Sequence, residues 1–288
     1  MESAPNVAAE YSDPDLGYGL IECAASAKAI AWTNQTLDDL LAGRLSVWTE
    51  KAQGTSPTPR ELDALQTGFT HVAEKLGAAA LYLMGLPTVR SIIQSIGGHT
   101  MIPSHDWMVI KRPGSDSTIS WHQDFVHERK HPAVTIGLHL DDLQFDGLRV
   151  VPKTHFARQD LCQIGEKYDF DSPEVVTLKV GPGGIVWHDA MLVHGSPALP
   201  LNAPARRTYY LEFRPRQALD EHPGFPSAYI DAREDQFRLA QETFRRFGSG
   251  SVSPVEVDLT EQEADVVGRL QSLRASVDLA NYCTPLPL

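Results

Sequence analysis

From Trp107 onward the apolar residues of this chain fall in short β-branched and aromatic runs: Trp107-Met108-Val109-Ile110, Val134 to Leu140, Leu148 to Val151, Val175 to Val180, Ile185 to His188 and Thr208 to Phe213. Gly, Pro and Asp punctuate them, and many short strands with such turns predict an antiparallel sandwich or barrel, of which the jelly roll is one form. On either side the period changes to that of a helix. Leu62, Leu65, Phe69, Val72 and Leu76 recur at helical spacing behind Thr58 as N-cap and Pro59 at the first helical position. Thr36-Leu37-Asp38-Asp39-Leu40-Leu41 reads as a helix start within an Ala- and Leu-rich stretch. After Arg216, residues Phe237, Ala240, Phe244 and Phe247 share one face, and Thr260-Glu261-Gln262-Glu263 forms a capping box ahead of Val266, Val267, Leu270, Leu273 and Val277. The prediction is one domain over 1–288: a loose arm to about residue 20, helices over about 21–85, a β core over about 86–216 and helices over about 217–288. The fold class is mainly β with flanking helices.

Composition narrows the functions. With 25 Lys and Arg against 37 Asp and Glu the chain carries a formal charge of -12. A phosphate-tracking surface needs clustered basic residues, so nucleic acid is excluded as a partner and adhesion to anionic membranes is disfavoured. The basic pairs Lys111-Arg112, Arg129-Lys130 and Arg206-Arg207 are short; as candidates they serve an anionic cosubstrate or substrate, and for the first two a solvated surface is the simpler reading. Cys23, Cys162 and Cys283 form neither a CxxC motif nor a disulfide framework, the N-terminus has no signal-peptide pattern, and no run approaches a membrane span. The expected compartment is a reducing cytoplasm. Oligomeric state is not legible.

Two motifs carry the chemistry: Trp121-His122-Gln123-Asp124-Phe125 and Val193-His194-Gly195-Ser196. In an extended backbone residues i and i+2 point to one face, so His122 and Asp124 can grip one ion while Gln123 faces away. A second His from a distant glycine-marked turn completes a 2-His-1-carboxylate set, which binds non-haem Fe(II) and leaves coordination positions open. One His-x-Asp is weak evidence in a chain with eleven histidines. Its companions strengthen it: in order follow Asp141-Asp142, Asp146-Gly147, Val151-Pro152-Lys153-Thr154-His155, Gly181-Pro182-Gly183-Gly184, Val186-Trp187-His188, His194-Gly195-Ser196, Asn202 and Arg206-Arg207.

Over roughly Ile110 to Pro215 this order resembles the phytanoyl-CoA dioxygenase family of Fe(II)/2-oxoglutarate oxygenases. Asp146 stands where that family has Asn, Lys153-Thr154 replace Gly-Ser before His155, and Gly184 replaces an Asp. The resemblance implies a double-stranded β-helix (jelly-roll, cupin-like) core in which His122, Asp124 and His194 cap the iron. Arg206 or Arg207 would hold the distal carboxylate of 2-oxoglutarate, with Ser196 as a hydroxyl donor. Neighbours in an extended strand face opposite sides, so only one arginine can serve, and the alignment favours Arg206. His105, His127, His131, His139 and His188 read as structural and His155 as a loop anchor, with His188 alone, near His194, able to line the site instead; Trp107, Trp121 and Trp187 read as core. The implied cofactors are Fe(II), 2-oxoglutarate and O2, and the implied reaction is oxidation of an unactivated C–H, hydroxylation by default, with release of succinate and CO2. The intact Asp124 favours hydroxylation over halogenation, which needs that coordination position vacated. The expected substrate is a small free metabolite in bacterial natural-product tailoring, covered by helices after Arg216 or by the loop from Phe125 to Pro132. Rival readings are a Zn- or Mn-dependent cupin-type isomerase or hydrolase and a non-catalytic β-sandwich binding protein; a serine hydrolase at Ser196 lacks a GxSxG elbow.

Overall fold

The computed structural model describes residues 11–44, 68–113, 118–124, 130–142, 147–248, 259–271, 273 and 281–282. Strands β1 (Tyr11–Asp13) and β2 (Tyr18–Ile21) precede helix α1 (Ala27–Leu41). Then come β3 (Gly68–Thr70), α2 (Val72–Leu76), α3 (Ala78–Met84) and α4 (Pro87–Gly97). The core follows with β4 (Met101–Lys111), β5 (Ile119–Gln123), β6 (Val134–His139), β7 (Leu148–Val150), α5 (Leu161–Lys167), β8 (Val176–Leu178), β9 (Ile185–Asp189), β10 (His194–Ser196) and β11 (Arg206–Pro215). Helices α6 (Arg216–Asp220), α7 (Ser227–Phe247) and α8 (Glu261–Gly268) and strand β12 (Asn281–Tyr282) complete it.

The strands form two antiparallel sheets, ordered β1-β2-β9-β6-β11-β4-β3 and β12-β5-β10-β7-β8. This is the expected double-stranded β-helix core. Strand β11 runs through the middle of the large sheet, paired with β4 from Arg206↔Lys111 to Pro215↔Met101 and with β6 from Thr208↔His139 to Phe213↔Val134. Side-chain alternation along these strands separates two environments. Tyr209, Leu211 and Phe213 join Met108, Ile110, Ile136, Leu138, Ile185 and Trp187 on the outer face, under α3 and α7. Phe213 meets Phe237 of α7 edge-on, with centroids 5.3 Å apart. Each such side chain contributes roughly 1.5–3 kcal/mol by leaving water, so this face anchors the sheet. The inner face carries His105, Trp107, Thr135, His188, Tyr210 and Glu212, all lining the cavity between the sheets.

One buried ion pair fastens the two layers. Arg233 of α7 reaches through to Asp106 of β4 at 2.6 Å, both side chains being at most 1% exposed. The second oxygen of Asp106 accepts from the Val72 and Ala73 amides at the start of α2, 2.7 and 3.3 Å away. Burial would raise this carboxyl, but the charges of Arg233 and His71 and these bonds hold it low.

Several expectations change. The polar arm to residue 20 contributes β1 and β2, because the Tyr18–Ile21 run pairs with β9 at the sheet edge. Helix α1 begins nine residues before Thr36, where the Ser26 hydroxyl accepts from Ala29 N at 3.2 Å. The helix expected from Thr58 lies mostly outside the described residues; at its far end Phe69 sits in strand β3, paired with Met108, and only Val72–Leu76 is helical. The β core starts near Met101 rather than residue 86, since Pro87 opens an eleven-residue helix at its first position. Gly195 is part of a strand, not a turn: it pairs with Arg149, and a Cβ there would come within 2.7 Å of the Ile119 carbonyl oxygen of β5. Thr260 and Glu263 do form the capping box. Cys162 is held in a disulfide whose other half lies outside the described residues, while Cys23 is free. Among the described residues no helix is long and apolar enough to cross a membrane.

Candidate metal centre

His122 is the last residue but one of β5 and His194 begins β10, and the two are direct cross-strand partners in the small sheet. A cross-strand pair sits about 4.5–5.5 Å apart, so strand register brings the rings together, with centroids 4.0 Å apart. Asp124, just past the end of β5, turns its carboxylate between them: Oδ1 lies 3.4 Å from His122 Nε2 and 3.5 Å from His194 Nε2. One ligand atom from each of the three residues lies within 4.8 Å of the others, and all three residues are buried.

The ring protons decide what these atoms present. His122 Nδ1 lies 2.8 Å from the Ser120 carbonyl and His194 Nδ1 lies 2.9 Å from the Leu192 carbonyl. A carbonyl only accepts, so Nδ1 donates in each ring and Nε2 is the atom turned towards Asp124. Burial would raise the Asp124 carboxyl, but the imidazoles around it, His194 first and then His122 and His188, outweigh it and hold it low. Burial, with His122 and His188 nearby, pushes His194 well below the ordinary histidine range, so it is neutral. Two imidazole nitrogens and a carboxylate therefore converge on one point, an arrangement that a cation stabilises. Thr135 of β6 donates to Asp124 Oδ2 at 2.8 Å, which fixes the carboxylate and leaves Oδ1 for the ion.

His188 adds a third imidazole. Its ring lies 4.1 Å from that of His194, Nδ1 faces the Asp189 carbonyl at 3.0 Å, and the buried Nε2 has no hydrogen-bond partner, 4.0 Å from Asp124 Oδ2. It lines the site, as its position near His194 suggested.

The centre opens into a cavity of about 490 Å³ between the sheets. At one end Ser196, two residues beyond His194, accepts from Lys111 Nζ at 2.9 Å. Lys111 is directly opposite Arg206 in the β4–β11 ladder, and both are 3% exposed. Arg206 shares the inward alternation of Tyr210 and Glu212, whereas Arg207 follows Tyr209 outward. There Arg207 Nε and Nη2 grip Asp141 at 2.9 and 2.7 Å and Nη1 meets Asp38 at 2.8 Å. Arg207 thus spends its fork on the outer side of the sheet. For Lys111-Arg112 a solvated surface is the simpler reading in sequence, because a basic pair at a strand end gives no sign that one member faces inward. Burial and the Arg206 charge also press His139 down to about 3, so it is neutral at this cationic end.

Trp107 and His105, read as core and structural, also line the cavity. Trp107 stacks on Tyr210, its cross-strand partner, at 5.5 Å and 16°. Gly137 makes room for that ring: a Cβ there would lie 2.8 Å from Tyr210 Cε1. Trp121 and Trp187 are core. The described wall over the cavity is β3 rather than the helices after Arg216; residues 125–129 of the other lid candidate, with His127, lie outside the described residues.

The model of the phytanoyl-CoA dioxygenase (PhyH) family matches residues 15–199. The chain belongs to this family. Membership supports an oxygenase, and the His-Asp-His cluster and the Lys111-Arg206 end fit a metal and a dicarboxylate. No curated protein matches the sequence significantly. Among solved structures, HygX from Streptomyces hygroscopicus with nickel and 2-oxoglutarate bound is 13% identical, with 70% of this chain and 84% of that one covered and a TM-score of 0.53. EvdO2 from Micromonospora carbonacea var. aurantiaca complexed with 2-oxoglutarate is 19% identical, covering 73% and 93%, with a TM-score of 0.52. EvdMO1 is 18% identical at a TM-score of 0.52 over 69% of this chain, which spans only 47% of its length. At these identities the likeness is one of fold.

Proposed function

We propose that this protein is an Fe(II)/2-oxoglutarate-dependent dioxygenase that hydroxylates an unactivated C–H bond of a small metabolite. The carrying observation is the convergence of two imidazole Nε2 atoms and the Asp124 carboxylate on one point, with both Nδ1 atoms engaged by backbone carbonyls. Fe(II), 2-oxoglutarate and O2 bound there supply an oxidant for such a bond, with succinate and CO2 released. The chain supplies position. His122, Asp124 and His194 hold one face of the ion, and Thr135 keeps the second carboxylate oxygen occupied. Arg206, Lys111 and Ser196 bind the distal carboxylate of 2-oxoglutarate, where a guanidinium fork and an ammonium are matched to an anion. The retained Asp124 supports hydroxylation over halogenation.

The cavity volume supports a small free substrate, which we assign to bacterial natural-product tailoring. We place the protein in the cytoplasm, where 2-oxoglutarate is made; the Cys162 disulfide counts against that placement, and alkylation of Cys162 in freshly lysed cells would reverse the objection.

The test is an anaerobic optical titration of metal-free protein with Fe(II), with and without 2-oxoglutarate. A weak visible charge-transfer band that needs both and vanishes in His194→Ala is the expected result. Tight Zn(II) or Fe(II) binding without the band would point to a metal-dependent isomerase or hydrolase, and no metal binding would overturn the reading.

A further inference from the structure

One side of the cavity takes no part in holding metal or 2-oxoglutarate. His105 of β4 pairs with Glu212 of β11, Glu212 with Thr135 of β6, and Thr135 with His188 of β9, so the four stand in one row across neighbouring strands. All four line the cavity. Thr135 bonds Asp124, and strands lie about 4.8 Å apart, which puts Glu212 one strand and His105 two strands beyond the residue that touches the metal-binding carboxylate.

Glu212 is 1% exposed. Its side-chain hydrogen bonds among the described residues, from Ser104 Oγ and from Arg214 Nε at 2.7 Å, both end on Oε1, which leaves the lone pairs of Oε2 for the cavity. Burial raises this carboxyl, but Arg214 and His105 bring it down to about 2, so it is ionised. Among the described residues His105 Nδ1 is buried without a hydrogen-bond partner, 3.9 Å from Glu212 Oε1. A buried polar atom left unpaired costs roughly 1–3 kcal/mol. Such an atom on a cavity wall beside a metal centre, next to a carboxylate oxygen that makes no hydrogen bond among the described residues, points to a ligand that satisfies both.

Charge selects the ligand. Arg214 already balances Glu212, so the row offers acceptor lone pairs with little net charge to draw an ammonium group. A hydroxyl can donate to Glu212 and also accept from His105. The stacked Trp107 and Tyr210 rings, one row along, give an apolar face for a carbon skeleton. We propose that His105 and Glu212 are the substrate-recognition edge of the centre and that the substrate is a neutral, hydroxyl-bearing small molecule whose skeleton lies against Trp107 and Tyr210. This rests on the oxygenase reading above.

The experiment measures binding, not turnover. Cyclohexane-1,3-diol, cyclohexylammonium and cyclohexanecarboxylate share one ring and differ in the group they present; their binding to Zn(II)- and 2-oxoglutarate-loaded protein is followed by saturation-transfer NMR. The diol is expected to bind best, and to weaken about tenfold in the double variant E212M/R214M, which removes the pair whole and so avoids a stranded buried charge. His105→Leu, outside that ion pair, is expected to weaken it severalfold and carries the test if the double variant does not fold. Preference for the ammonium, no diol binding, or equal diol binding in wild type and variants would overturn the proposal. The Fe(II)/2-oxoglutarate band is read on the same proteins: its absence from the wild type overturns the oxygenase reading instead, whereas its persistence in variants that lose the diol separates substrate recognition from metal binding.

Discussion

Replacing Arg206 with Met should weaken 2-oxoglutarate binding about a hundredfold, whereas the same change at Arg207 should leave it within about twofold. Arg206 is buried, shares the inward alternation of Tyr210 and Glu212 and stands across from Lys111. A guanidinium on a carboxylate makes up to two charge-assisted hydrogen bonds worth roughly 1.5–3 kcal/mol each. Losing about 3 kcal/mol at about 1.4 kcal/mol per tenfold gives that factor, and Lys111 with Ser196 keeps binding from vanishing. Arg207 spends its fork on Asp141 and Asp38. Its removal should cost about 1 kcal/mol of stability, since the pair is near the surface. The assay is anaerobic titration of the Fe(II)-loaded proteins with 2-oxoglutarate, with unfolding midpoints run alongside. A second readout comes from His139: burial first, and Arg206 second, hold it near 3, so Arg206→Met should move its pKa up in NMR. Equal weakening in both variants, or none in Arg206→Met, would refute the register argument.

Further outcomes follow from the same geometry. Asp124→Ala should abolish Fe(II) binding, measured by calorimetry, because the remaining two imidazoles lack the anion; full affinity would sink the triad. Metal-free protein should lose stability as pH falls from about 6.5 towards 3. The unfolded chain there protonates His139 while the folded chain does not, at about 1.4 kcal/mol per pH unit. In His139→Asn that slope should fall by one proton, and an unchanged urea-midpoint profile would contradict it. Arg233→Met strands Asp106 in the interior and should cost about 3–5 kcal/mol, with D106L/R233M much milder in urea unfolding. Gly137→Ala drives a methyl into Tyr210 and should cost roughly 1–3 kcal/mol, with altered near-UV circular dichroism; a neutral effect would mean the ring has room to shift.

The sequence by itself determined the strand-rich core, the capping box at Thr260 and the three residues of the metal cluster. Each of these is a local or ordered pattern: two-residue alternation places His122 and Asp124 on one side, and the order of companion motifs marks His194. The edge strands before residue 22 were invisible, because Tyr18–Ile21 becomes a strand only by pairing with β9. The helix at Pro87 was lost among apolar residues that fit either period. Tertiary structure decided which arginine turns inward: Arg206 and Arg207 are equivalent as neighbours in sequence, and only the alternation of β11 between its apolar outer face and the cavity separates them. It also gave Lys111, His105, Glu212 and Trp107 their places. Their partners lie from dozens to more than a hundred residues away, and a side chain's neighbours across a sheet are set by register, which the chain acquires only on folding.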